Sequence, residues 1–129
     1  MSDPFKGKPQ SVEALKILCN PFKELCWTDL NRPIKKADVQ KEIHRVQKGL
    51  PEKKSARGNH IRKIAEFALN GWKDPIEIDV GIPHLNFPGT WQITDGNHRF
   101  AAAIFRECTT IQAVVSGDVD YAIELGLNP

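Results

Sequence analysis

Apolar positions fall at helical spacing along some stretches of the chain and alternate with polar ones along others. Val12, Leu15, Ile17 and Leu18 form a helical stripe over residues 11–19, with Ser11 as N-cap and Glu13 in the first turn. Asn20-Pro21 ends it, because a residue before proline is pushed out of the α region. Residues 21–26 add a short turn, and Leu30 to Ile34 reads as extended or irregular chain. Val39, Ile43 and Val46 line one face of a second helix over 37–47, with Lys41, His44, Arg45 and Lys48 on its other faces. A polar basic loop covers 49–58. A third helix spans 59–69, with Ile61, Ile64, Ala65 and Ala68 inward and Asn70-Gly71 as its C-cap.

The pattern then changes period. Ile76-Glu-Ile-Asp-Val80 alternates strictly and predicts a half-buried strand. Residues 81–89 are rich in glycine and proline and make a long connection. Thr90 to Thr94 is the next strand, with Trp91 and Ile93 on one side, and Ile111 to Val115 is another. An alanine-rich helix lies between them, from Asn97 to Glu107, and Asp118 caps a short last helix carrying Tyr121, Ile123 and Leu125. The sum is an α+β domain, a small mixed β-sheet with helices packed against it. Residues 1–10 read as a flexible N-terminal arm and 11–129 as a single domain.

Composition narrows the function classes. The chain has 129 residues, which suits one modest core. A net charge of +2 does not by itself announce nucleic acid. No apolar run is long enough to span a membrane and no signal peptide is visible, so no membrane partner is expected. Cys19, Cys26 and Cys108 form no metal-type pair, and an odd number argues against a disulfide framework. They are expected to be reduced, in a cytoplasmic protein.

The chemistry concentrates in Thr94-Asp-Gly-Asn-His-Arg-Phe-Ala-Ala-Ala-Ile-Phe-Arg106. A strand runs into a glycine and then into a helix. The first N–H groups of a helix lack internal partners, and the dipole adds partial positive charge there. Gly96 lets backbone approach a ligand. His98 and Arg99 sit where the dipole disfavours cations, which an anion, above all phosphate, would offset. The plainer reading makes Asp95 an N-cap and Arg99 a solvated residue.

The segment Ile93 to Ile104, followed by Thr110-Ile-Gln-Ala-Val-Val115, resembles the signature loop of the ParB/sulfiredoxin superfamily. Ile64 to Gly71 and Asp74-Pro-Ile-Glu-Ile-Asp-Val80 are similar to the helix and strand that precede that loop. The resemblance covers about residues 28–116 and implies a ParB/sulfiredoxin-like fold. Asn97 stands where sulfiredoxins carry their catalytic cysteine, so sulfinic-acid reduction is not expected. Partition proteins carry a Glu-Arg-Arg version and a following helix-turn-helix domain, for which these 129 residues leave no room. The Asp-Gly-His-Thr-Arg loop of the superfamily's free-serine kinases is nearest in character to Asp95-Gly96-Asn97-His98-Arg99.

The resemblance implies a nucleotide-binding phosphotransferase or NTPase. Its cofactors would be a nucleoside di- or triphosphate (ATP, ADP or CTP) and Mg²⁺. Gly96, Asn97, His98 and Arg99 would hold the phosphates. Asp95 would be metal ligand or base, and His98 a phosphate contact or proton donor. By the same resemblance Lys41, Arg45 and Lys73 are candidates for the nucleotide pocket. Gly58-Asn59-His60 repeats the local pattern before another helix, with Arg62 nearby. Lys54, Arg57, His60 and Arg62 are therefore candidates for a second substrate or a nucleic-acid backbone. The rival readings are a nucleotide-regulated DNA-binding or nuclease-like module and a non-enzymatic interaction protein. Oligomeric state stays open.

Overall fold

The computed structural model describes residues 7–83 and 91–129. Four strands, β1 (Lys8–Ser11), β2 (Ile76–Asp79), β3 (Ile93–Asp95) and β4 (Thr110–Ser116), form one sheet in the order β1-β4-β2-β3. The outer pairs β1–β4 and β2–β3 are antiparallel, and the central pair β2–β4 is parallel. Five helices accompany it among the described residues: α1 (Val12–Leu18), α2 (Lys36–Gln47), α3 (Ala56–Asn70), α4 (Asn97–Phe105) and α5 (Val119–Glu124). The architecture is α+β with a mixed sheet. No helix of the described residues is long and apolar enough to cross a membrane.

Local signals account for most element ends. Ser11 Oγ accepts the Ala14 N–H, and Asp118 Oδ1 accepts the Tyr121 N–H at 2.8 Å. Gly71 closes α3 at φ 75°, its N–H bonded to the Phe67 carbonyl. Two expectations give way. The N-terminal arm is structured from Lys8, because Lys8 to Ser11 pair with Ala113 to Thr110 and the sheet edge satisfies their backbone. Buried Gln10 fastens this strand further, donating to and accepting from the backbone of Asn128. The third helix begins at Ala56 rather than 59, because Ser55 Oγ accepts the Gly58 N–H and draws the end of the basic loop into the first turn. Residues 1–6 and 84–90, including most of the predicted 81–89 connection and Thr90, lie outside the described residues.

The core has two parts that meet at α4. Ile76, Ile78, Ile93, Ile111 and Ala113 from the sheet pack with Val12, Leu15, Phe100, Ala103 and Ile104. Ala101 and Ala102 face the other way, against Ile34, Val39, Ile43, Ile64 and Ala65. A helix buried on two sides must be apolar around most of its circumference, and alanine lets neighbours approach closely. That explains the Ala101-Ala-Ala103 run. Trp72 packs against both parts, edge-on to Phe67 with ring centroids 6.5 Å apart. The packing holds the N-termini of α3 and α4 side by side, and the candidate site lies there.

Candidate functional site

β3 ends at Asp95, the chain turns at Gly96, and α4 begins. Gly96 is the N-cap of α4 in left-handed conformation, φ 96° and ψ 24°. The first intrahelical bond runs from the Phe100 N–H to the Gly96 carbonyl at 2.8 Å. The N–H groups of Asn97, His98 and Arg99 precede it and have no partner within the helix. Beside this helix start lies a cleft of about 620 Å³, lined by Gly96, His98 and Arg99 with Lys63, Lys73, Asp74, Glu77 and Asp95.

Asp95 is not the cap expected by the plainer reading. Its Oδ2 accepts from Arg99 Nη2 at 3.1 Å. Arg99 Nη1 donates to the carbonyls of Asp74 (3.0 Å) and Pro75 (3.1 Å). Charge compensation for an arginine in the first turn therefore comes from the protein itself, and Arg99 ties the loop to the entry of β2. The Asn97 amide is likewise engaged: Oδ1 accepts the Trp91 indole N–H at 2.7 Å, and Nδ2 donates to the Ile93 carbonyl.

His98 leads to residues the sequence pattern did not single out. Its Nε2 lies 2.7 Å from His60 Nδ1, and His60 Nε2 lies 2.8 Å from Asp29 Oδ1. Trp27 lies across both imidazoles, 4.8 Å from each ring centroid at 26° and 23°. The Gly-Asn-His repeat thus marks two histidines that the fold brings into contact. Asp29 and Trp27 come from the irregular segment before α2, where no periodicity or spacing distinguishes them. Asp29 is exposed, and the hydrogen bond from His60 holds its carboxyl below the usual range.

The other candidates separate from this cleft. Lys41 is exposed on α2, and Arg45 donates to Glu42 and to the Pro51 carbonyl. Arg62 donates to Glu42 and the Leu50 carbonyl, and Arg57 to the carbonyls of Arg32 and Pro33 and to Asp38. These arginines hold chain segments together. Lys54 stays exposed, and Lys73 alone of the three predicted pocket cations lines the cleft. Lys63 lines it too, one α3 turn beyond the Gly-Asn-His pattern and unmarked by it. Thiol chemistry finds no support at Cys26, pushed up to about 12 by burial. Cys19 is buried against Gln92, and burial raises its thiol as well.

The imidazole pair makes an acid-sensitive joint. Protonating both rings would set two N–H groups face to face. Burial first, then the His60 and Lys63 charges, lower His98 from 6.5 to about 4, against a smaller opposing effect of Asp29. A lowered histidine is bound by fewer protons in the folded than in the unfolded state. Its contribution is complete above pH 6.5 and is lost as pH falls from 6.5 to about 4. After allowance for solvent screening this amounts to about 2–3 kcal/mol. Urea unfolding at pH 7 and pH 4.5 checks it: the wild type loses more stability on acidification than His98→Gln. Equal losses would exclude His98 as the source.

Set against family models, curated proteins and solved structures, the chain matches none of them.

Proposed function

We propose that the domain is a ParB/sulfiredoxin-like nucleotide-binding domain, and that its cleft holds the phosphates of ATP, ADP or CTP for phosphoryl transfer or hydrolysis. The observation that carries the reading is the left-handed turn at Gly96, which sets the N-terminus of α4 beside a cleft lined also by Lys63 and Lys73. Backbone donors aimed by a glycine turn, with lysines as mobile cations, are what a phosphate chain requires. Arg99 supports the loop and adds its charge, and His98 faces the transferred group. Such reactions need mostly positioning and charge stabilisation.

Mg²⁺ fits the carboxylates present. Glu77 and Asp95 are register partners across β2 and β3, so both side chains leave the same face, into the cleft. Asp95 gives one oxygen to Arg99 and keeps the other. No cluster of three metal-ligating side chains occurs among the described residues. Mg²⁺ in nucleotide sites commonly uses one or two carboxylates plus phosphate oxygens, so Glu77 and Asp95 would hold it and it would neutralise phosphate charge.

A thermal-shift series with ATP, ADP, CTP and GTP, each with and without Mg²⁺, tests this. A ligand at 100 times its dissociation constant adds about 2.7 kcal/mol, a shift of roughly 10 °C in a domain this size. The expected result is a shift with one nucleotide that shrinks in the Lys63→Glu/Lys73→Glu double variant, whose exposed side chains can change without loss of fold. No shift with any nucleotide overturns the reading.

A further inference from the structure

We infer that Asp29, His60 and His98 form a proton relay that presents His98 Nδ1 to the cleft as a general base, with Asp29 and His60 as positioning residues. The polarity follows from donor and acceptor counting. An ionised carboxylate only accepts, so His60 Nε2 carries the hydrogen that meets Asp29 Oδ1 at 2.8 Å. A neutral His60 then has its lone pair on Nδ1. That atom lies 2.7 Å from His98 Nε2, which must carry the next hydrogen. The remaining lone pair of His98 is on Nδ1. His60 and His98 are nearly coplanar, at 15°, and Trp27 roofs both, so the rings are held in the plane their hydrogen bond needs.

The relay also resolves how so weak a base can work. When His98 Nδ1 accepts a proton from a hydroxyl or water in the cleft, its Nε2 proton passes to His60 Nδ1. His98 ends neutral in the opposite tautomer, and the positive charge rests on His60 against Asp29. One proton enters at Nδ1 and one leaves Nε2, so the ring never holds both. Lys63 and Arg99 face His98 from α3 and α4 and oppose charge on that ring, and Asp29 attracts it one ring away. The charge is therefore steered outward, towards a second opening lined by Thr28, Asp29, Arg32 and Arg57. His98 opens on the first cleft and Asp29 on the second, so the relay joins the two.

The base role rests on the cleft reading above; the hydrogen polarity does not. Long-range proton–nitrogen NMR on ¹⁵N-histidine-labelled, ligand-free protein at pH 7 reads the tautomers directly. Expected are Nε2–H tautomers at both His60 and His98 in the wild type. Asp29→Ala is expected to shift His98 towards a mixture of tautomers with Tm unchanged, because the exposed carboxylate alone sets the direction. His98 found as Nδ1–H, or unaltered by Asp29→Ala, overturns the relay. Phosphate release from the nucleotide that gives a thermal shift is expected to fall about 10²–10⁴-fold in Asp29→Ala, through kcat and with binding retained. Full turnover in that variant overturns the positioning role. Correct tautomers without any nucleotide shift would instead sink the cleft reading and leave the relay standing.

Discussion

Replacing Glu42 by alanine is expected to destabilise the domain by about 3–5 kcal/mol, although the residue does not line the cleft. Its side chain is 6% exposed, and each oxygen holds one arginine: Oε1 accepts from Arg45 Nε at 3.0 Å and Oε2 from Arg62 Nε at 2.7 Å. Those arginines in turn hold the Pro51 and Leu50 carbonyls. One carboxylate thereby joins α2, α3 and the connection between them. Removing it takes from both partly buried guanidiniums the carboxylate at their Nε, leaves Arg62 only its longer 3.8 Å pair with exposed Glu66, and loosens the two arginines that anchor the loop. Urea unfolding measures the loss, and a Tm drop of roughly 10 °C or more should accompany it. The triple variant Glu42→Leu/Arg45→Met/Arg62→Leu should recover most of it, because apolar replacements of similar volume remove the desolvation cost together with the attraction. A Glu42→Ala variant within 1 kcal/mol of the wild type would show that the network contributes little.

Gly96→Ala is the second large effect, about 2–5 kcal/mol. Two costs add. A side chain in left-handed conformation costs roughly 1–2 kcal/mol, and overpacking of a well-filled core costs roughly 1–3 kcal/mol. The added Cβ would lie 2.5 Å from Ile76 Cγ2 and 2.9 Å from Ile76 Cβ, with Arg99 Nη2 at 3.0 Å. Ile76 is fully buried in a central strand and cannot retreat. The arginine end can move, but only by loosening its bonds to Asp74, Pro75 and Asp95. Thermal and urea unfolding of Gly96→Ala measure the sum. A loss below 1 kcal/mol would mean that the turn relaxes freely and is not the rigid entry to α4 described above.

These two residues mark the division between what could be read along the chain and what could not. The glycine was legible: a strand pattern ending at Thr94, then Asp95-Gly96, and an apolar helix can be joined only by a turn at that point. The helices and strands were legible for the same reason, since the side chains that define their periods and caps sit within a few positions of one another. Ser11, Gly71 and Asp118 act on backbone three or four residues away. Even so, the cap at Ser55 is not legible, because Gly58 three positions later reads as loop. Strand β1 was hidden as well, because Lys8-Pro-Gln carries no alternation of its own and takes its order from β4.

Arginines were the least legible residues. Arg45, Arg57, Arg62 and Arg99 have the composition of a ligand-binding set, and each instead meets carbonyls and carboxylates of its own chain. A guanidinium has the same five donors whether it meets a phosphate or a backbone carbonyl. Only the fold decides which acceptor is near. The relay shows this most clearly, since His60 reaches Asp29 across 31 positions and His98 across 38.

The sequence by itself determined the order of elements from α1 onward, the turn at Gly96 and the helix N-terminus behind it, because each is a contest among groups a few bonds apart. Tertiary structure alone decided which charges are spent internally, which lysines line the cleft, and that two histidines, a tryptophan and an aspartate from separate segments share one site. Those outcomes depend on the ends of long side chains meeting in space, and their positions are set by the packing of α3 against α4 rather than by any local preference.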